Sequence, residues 1–167
     1  RGSGAEPQNP IFYVSSSPWN FYDLITEFQE HQGIPKGPLL LRDFGLDREK
    51  FLMSSHAGHK RGEISRLFRE FPDLPFLLVG DTGQKDPEIY HELIERYPDR
   101  VLAVYLRDVG TGGRRERVAR LYEDGEARGI PMRIAKDTET LATHAAARGW
   151  IADENLPLVA SRSLPAE

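Results

Sequence analysis

Residues 75–88 read PFLLVGDTGQKDPE. Phe76, Leu77, Leu78 and Val79 run without polar alternation into Gly80-Asp81, and Asp86-Pro87-Glu88 then spells a helix start. An unbroken apolar run bounded by turn residues is the mark of a strand buried on both faces. Asp-Pro-Glu supplies a cap, a first-turn proline and a first-turn acid, so Asp86 reads as an N-cap. The same grammar recurs downstream: a helix from about Pro87 to Tyr97, a strand over VLAVYL at 101–106, and a charged helix over 114–128 carrying Val118, Leu121 and Tyr122. A strand at PMRI follows, then an Ala-rich helix from an Asp137 cap to Gly149. Upstream, IFYV at 11–14 and PLLLR at 38–42 read as strands. Phe21, Leu24, Ile25 and Phe28 keep the i, i+3, i+4, i+7 spacing of a core-facing helix, as do Ile64, Leu67, Phe68 and Phe71. Alternating buried strands and helices predict an α/β fold, a doubly wound parallel sheet with helices on both faces. No internal repeat is visible.

Composition narrows the function. The 167 residues suit one domain over 11–150, preceded by a polar linker at 1–10 (RGSGAEPQNP) and followed by a tail at 151–167. Lys+Arg total 22 against Asp+Glu 26, a net charge of −4, so no global field draws the chain to nucleic acid. The absence of cysteine excludes a disulfide scaffold, a thiolate nucleophile and a Cys-ligated metal. No apolar run approaches the ~20 residues of a membrane span, and no signal-peptide core is present. The sequence therefore reads as cytoplasmic, with peripheral membrane contact left open. The basic stretch RRERVAR at 114–120 is a modest candidate for such contact and reads first as a solvated helix face.

Parallel sheets bind ligands at the carboxyl ends of their strands. What stands there is SSSPWN, DFG, DTGQKDPE and DVGTGG. Ser17 before Pro18 reads as a helix cap, whereas Ser15 has no capping duty and suits an anion. Ser16 and Ser17 are further candidate phosphate contacts. Asp81, at a strand tip, presents a hard oxygen ligand of the kind Mg²⁺ prefers. Lys60, in HAGHKRGE ahead of a helix face, reads as either a surface cation or an anion partner. His56 and His59 have neither the HExxH spacing nor a third ligand that would argue for zinc. Arg42 suits a phosphate or carboxylate, and Asp43 is a loop acid at the same edge. LRDFG at 41–45 imitates a kinase metal motif, but the other kinase motifs are missing. DVGTGGRR at 108–115 could form an anion nest and reads more simply as a turn.

Taken in order, the strand ending at Ser15, Lys60 before a helix, and the strand ending in GDxxxxD (Asp81, Asp86) resemble motifs two, three and four of the haloacid-dehalogenase-like phosphatases. The longer text YVSSSPWNFYDL, GPLLLRDFG, HKRGEI, FPDLPFLLVGDTGQKDPEIY and RVLAVYLRDV resembles the catalytic domain of the actin-patch-protein type of phosphatidate phosphatase, itself similar to lipins. The resemblance spans about residues 10–150. It implies that Ser15 hydrogen-bonds a transferring phosphoryl group, Lys60 neutralises it, Asp81 completes a Mg²⁺ shell, and Asp86 orients Lys60. His59, beside Lys60, joins Ser16, Ser17 and Arg42 as a candidate substrate contact.

The family's nucleophile belongs to a DxDxT motif at the end of an earlier strand, and no Asp-x-Asp occurs among the 167 residues. The expectation is therefore a domain incomplete at its amino end, inactive alone, whose aspartyl-phosphate would form on an upstream residue. The implied substrate is a phosphomonoester such as phosphatidate. A missing central strand would leave a sheet edge across which two copies could pair. The alternative is a non-catalytic module that binds phosphate or a lipid headgroup.

Overall fold

The computed structural model describes residues 9–42, 56–110, 115–157 and 159, and the chain divides into two compact units, Arg1–Pro72 and Asp73–Glu167. The fold is α/β with parallel strands throughout, flanked by helices and forming no closed barrel.

In the first unit, β1 (Tyr13–Pro18) pairs parallel with β2 (Leu39–Arg42). A 3-10 turn at Trp19–Phe21 and helix α1 (Tyr22–His31) connect them. The register runs Tyr13↔Leu39 and Val14↔Leu40 and resumes only at Pro18↔Arg42. Three serines thus stand opposite the single residue Leu41, and the end of β1 bulges. Helix α2 (His56–Glu70) packs against β1, burying Ile64, Leu67 and Phe68 as the spacing predicts. Phe71, just past α2, meets Phe12, just before β1, with ring centroids 5.4 Å apart.

The second unit has the sheet order β3-β4-β5, formed by Phe76–Asp81, Val101–Arg107 and Met132–Ala135. Helices α3 (Asp86–Arg96), α4 (Arg115–Ala127) and α5 (Thr138–Ala147) follow the strands in turn. Ala103 and Tyr105 pack with Leu141 and Ala145 of α5. Strand alternation sends Val104 and Leu106, both fully buried, to the opposite face. There α3 packs against both β3 and α4, so helices cover both faces of this sheet. Asp137 caps α5 by accepting the Thr140 N–H at 2.7 Å, and Gly149 ends that segment at φ +70°, both as read from sequence.

Four details differ from the sequence reading. Strand β1 continues through the serines to Pro18, and the turn after it has no side-chain cap, so Ser17 is not an N-cap. Asp86 opens α3 instead of capping it. Lys85 holds the cap position without a side-chain bond, because the Asp86 carboxylate turns back to the strand. Lys60 lies within α2, which begins at His56. The apolar stripe of α1 is not core, since Leu24 is 60% exposed and Phe21 and Phe28 are exposed too. Periodicity puts residues on one face without supplying a layer to cover it.

Candidate active site

The first unit gathers its candidates at one edge. From the Phe12–Phe71 contact, five residues along the strand to Ser17 rise about 16 Å. Eleven residues back along α2 to Lys60 also rise about 16 Å. Helix α2 packs against β1 and is tied to it at the Phe12–Phe71 end, and Lys60 and His59 lie in its first turns, at the opposite end of the helix. Ser15 Oγ accepts the Ser17 N–H at 3.1 Å and donates to Ser17 Oγ at 3.0 Å, so the bulge is tied by its own hydroxyls. Arg42, buried at the end of β2, pairs in register with Pro18 at the same edge. His59 Nε2 is shielded from solvent and has no hydrogen-bond partner among the described residues. An orphaned buried ring nitrogen costs free energy until a partner arrives. Asp43 and the His56 side chain lie outside the described residues.

In the second unit the candidate residues gather around Asp81, the last residue of β3. Its Oδ1 accepts the Gly83 N–H at 2.7 Å and the Gln84 N–H at 2.9 Å, a local turn that fixes the carboxylate at the strand tip. Among the described residues Oδ2 has no hydrogen-bond partner, leaving one hard oxygen for a ligand. Asp86, only 4% exposed, places Oδ2 3.4 Å from the Asp81 N–H. Tyr90, one turn on, donates its hydroxyl to the Val79 carbonyl at 2.7 Å. Burial, then the Asp86 and Asp81 charges, hold the Tyr90 phenol above its ordinary pKa, so it stays a donor. Gly80 permits this arrangement: a Cβ there would lie 2.6 Å from Asp86 Oδ2 and 2.9 Å from the Tyr90 hydroxyl. Because Thr82 N–H donates to Arg107 O across the ladder, Asp81 N–H and Val79 C=O point away from β4. Side chains of α3 meet both outward groups.

Sequence reasoning passed over Thr82, Tyr90 and Asp108. Thr82 is buried, and its hydroxyl donates to Asp108 Oδ1 at 3.3 Å, joining the loops after β3 and β4. The available signal was a hydroxyl directly after the motif acid.

One further cluster of metal-ligating types occurs among the described residues: His91 and Glu95 on α3 with Asp124 on α4. His91 Nε2 lies 2.5 Å from Asp124 Oδ2, while Arg128 pairs with both Asp124 and Glu95. The hydrogen bond from His91, then that from Arg128, lower the Asp124 pKa. With a guanidinium already neutralising both carboxylates, the group is an ionic staple between two helices.

In each unit, acids or hydroxyls stand at the carboxyl ends of parallel strands, the edge at which α/β sheets bind ligands. Over residues 3–108 the chain matches the family model described as Phosphatidate phosphatase APP1, catalytic domain, and it belongs to that family. It is 33% identical over 97 residues to Phosphatidate phosphatase APP1 of Saccharomyces cerevisiae (strain ATCC 204508 / S288c), covering 58% of this chain and 16% of that protein. It is 29% identical over 100 residues to Uncharacterized protein C29B5.04c of Schizosaccharomyces pombe (strain 972 / ATCC 24843), covering 59% of this chain and 16% of that one. The chain thus spans about one sixth of the length of these relatives. No solved structure matches it. The matched segment includes Ser15, Ser16, Ser17, Arg42, His59, Lys60, Asp81 and Asp86.

Proposed function

We propose that this chain forms part of the catalytic domain of a Mg²⁺-dependent phosphomonoesterase acting on phosphatidate or a close relative. The observation that carries the reading is Asp81, held by two backbone N–H groups at a strand tip with one oxygen unspent. That donor fits a hard divalent cation, whose remaining ligands would be water, substrate and a second carboxylate. When bound, the cation would supply charge neutralisation at the transferring phosphoryl group. Ser15 and the serine bulge would hydrogen-bond phosphoryl oxygens, Lys60 would neutralise them, and Arg42 and His59 would complete the anion contacts. Asp86 serves as a positioning group for Asp81 through the strand end, and the family resemblance adds orientation of Lys60.

The nucleophile in this reading is an aspartate of a DxDxT segment outside the present sequence, which contains no Asp-x-Asp. Its carboxylate attacks phosphorus and the P–O bond to the lipid alcohol breaks as the motif's second aspartate protonates the leaving oxygen; water, giving its proton to that same aspartate, then hydrolyses the acyl phosphate, releasing inorganic phosphate and regenerating the carboxylate. A binding module without turnover is the alternative, favoured by that same missing motif. A phosphate-release assay on phosphatidate vesicles separates them. Chelator-sensitive release by the full-length protein supports the enzyme, and tight headgroup binding without release supports the module. Contact with the lipid surface, pairing of two copies through an open sheet edge and a cytoplasmic location remain part of the proposal. Among the described residues no helix is long and apolar enough to cross a membrane.

A further inference from the structure

We propose that Thr82 is a positioning residue whose hydroxyl latches the loop after β3 to the loop after β4 and so fixes the Asp81 carboxylate. Thr82 is 6% exposed, and its Oγ works in both directions, donating to Asp108 Oδ1 at 3.3 Å and accepting the Val109 N–H at 3.2 Å. The far side of the latch is itself anchored. Asp108 N–H donates to Ala135 O of β5 at 2.8 Å, and Asp108 Oδ1 also accepts the Gly110 N–H at 3.0 Å. Next to the latch the loops touch so closely that a Cβ on Gly83 would lie 2.6 Å from Val109 Cγ2. Gly83 is also one of the two N–H donors that aim Asp81. Thus the Thr82 hydroxyl holds the Val109 backbone, Val109 backs Gly83, and Gly83 holds Asp81 Oδ1.

A purely structural site would be served as well by valine, which has the shape of threonine. Here valine would take the acceptor from the part-buried Val109 N–H and remove a donor to the Asp108 carboxylate. The catalytic part of this inference rests on the role proposed above for Asp81, and the loop-fixing part does not. The test compares Thr82→Val and Thr82→Ser in the full-length protein by hydrogen exchange over residues 81–85 and by phosphate release as a function of substrate and Mg²⁺. Unchanged exchange in the α5 segment, the helix on the far face of the sheet, serves as the folding control. We expect Thr82→Val to speed exchange at 81–85 about tenfold and to lower kcat about tenfold. Half-saturating Mg²⁺ should rise while substrate KM holds, and Thr82→Ser should restore all three altered readouts. Unchanged exchange in Thr82→Val, failure of serine to rescue, or faster exchange with wild-type kcat would each overturn the proposal. A wild-type protein that releases no phosphate would sink the phosphatase reading, while the exchange data would still decide whether the latch exists.

Discussion

Asp81 and Tyr90 show how much a single side chain decides here. Asn at position 81 still accepts the Gly83 and Gln84 N–H bonds, so Asp81→Asn should fold normally while turnover falls by orders of magnitude through loss of charge. Thermal melting and phosphate release on one preparation would check this, and equal losses in both would argue for a structural role. Lys60→Ala should behave similarly, whereas Ser15→Ala removes one neutral hydrogen bond and should cost less. Tyr90→Phe should cost about 1 kcal/mol by unpairing the Val79 carbonyl. The pH response has a definite sign. A phenol whose folded pKa is raised contributes stability below the unfolded value of about 10, and that stability is lost as pH rises above it. Wild-type melting temperature should therefore fall more steeply above about pH 10 than that of Tyr90→Phe. The strand tip at Asp81 and the helix start at Asp86-Pro87 were legible in sequence because strand, glycine, acid and Asp-Pro stand in one line of text, whereas the turn of the Asp86 carboxylate back to the strand was not. Tyr90 was not, since its partner lies eleven positions back and is set by how α3 lies along β3. Ser17 was misread because Ser-Pro before a helix is written the same whether the serine caps it or bulges out of a strand.

At the level of elements, the second unit follows its sequence pattern almost residue for residue, because its central strand β4 is covered on both faces, although Val79 of β3 is 67% exposed against the reading of a wholly buried strand. The α1 stripe does not, and its exposed Leu24 and Phe28 show that a period identifies a face without naming what lies against it. The ionic staple between α3 and α4 allows a test at this scale. With its folded pKa lowered by His91 and Arg128, Asp124 contributes stability at neutral pH that is lost as pH falls through that depressed value. His91→Gln should move the Asp124 carboxyl titration up toward the ordinary range, as read by carbon-detected NMR, and an unmoved titration would remove His91 from the staple. Gly80→Ala should disturb β3 far more than its one methyl suggests, since the new Cβ meets both Asp86 and Tyr90. Loss of cooperative melting or a large drop in melting temperature is the expected outcome.

For the whole molecule, family membership runs through both compact units, since the match ends at Asp108, where β4 has just closed. On the side of β3 away from β4, Tyr90 and Asp86 occupy the Val79 C=O and the Asp81 N–H, so these two groups are not open for pairing with a further strand. The 167 residues alone should bind substrate headgroup weakly and turn over almost nothing, because the proposed nucleophile stands outside them. The measurement that reaches the central claim most directly is phosphate release from phosphatidate vesicles by the full-length protein, wild type against Asp81→Asn, with and without chelator. Robust release that chelator and the single substitution each abolish, in a protein that still melts cooperatively, is the predicted result. Full activity in Asp81→Asn would contradict the account.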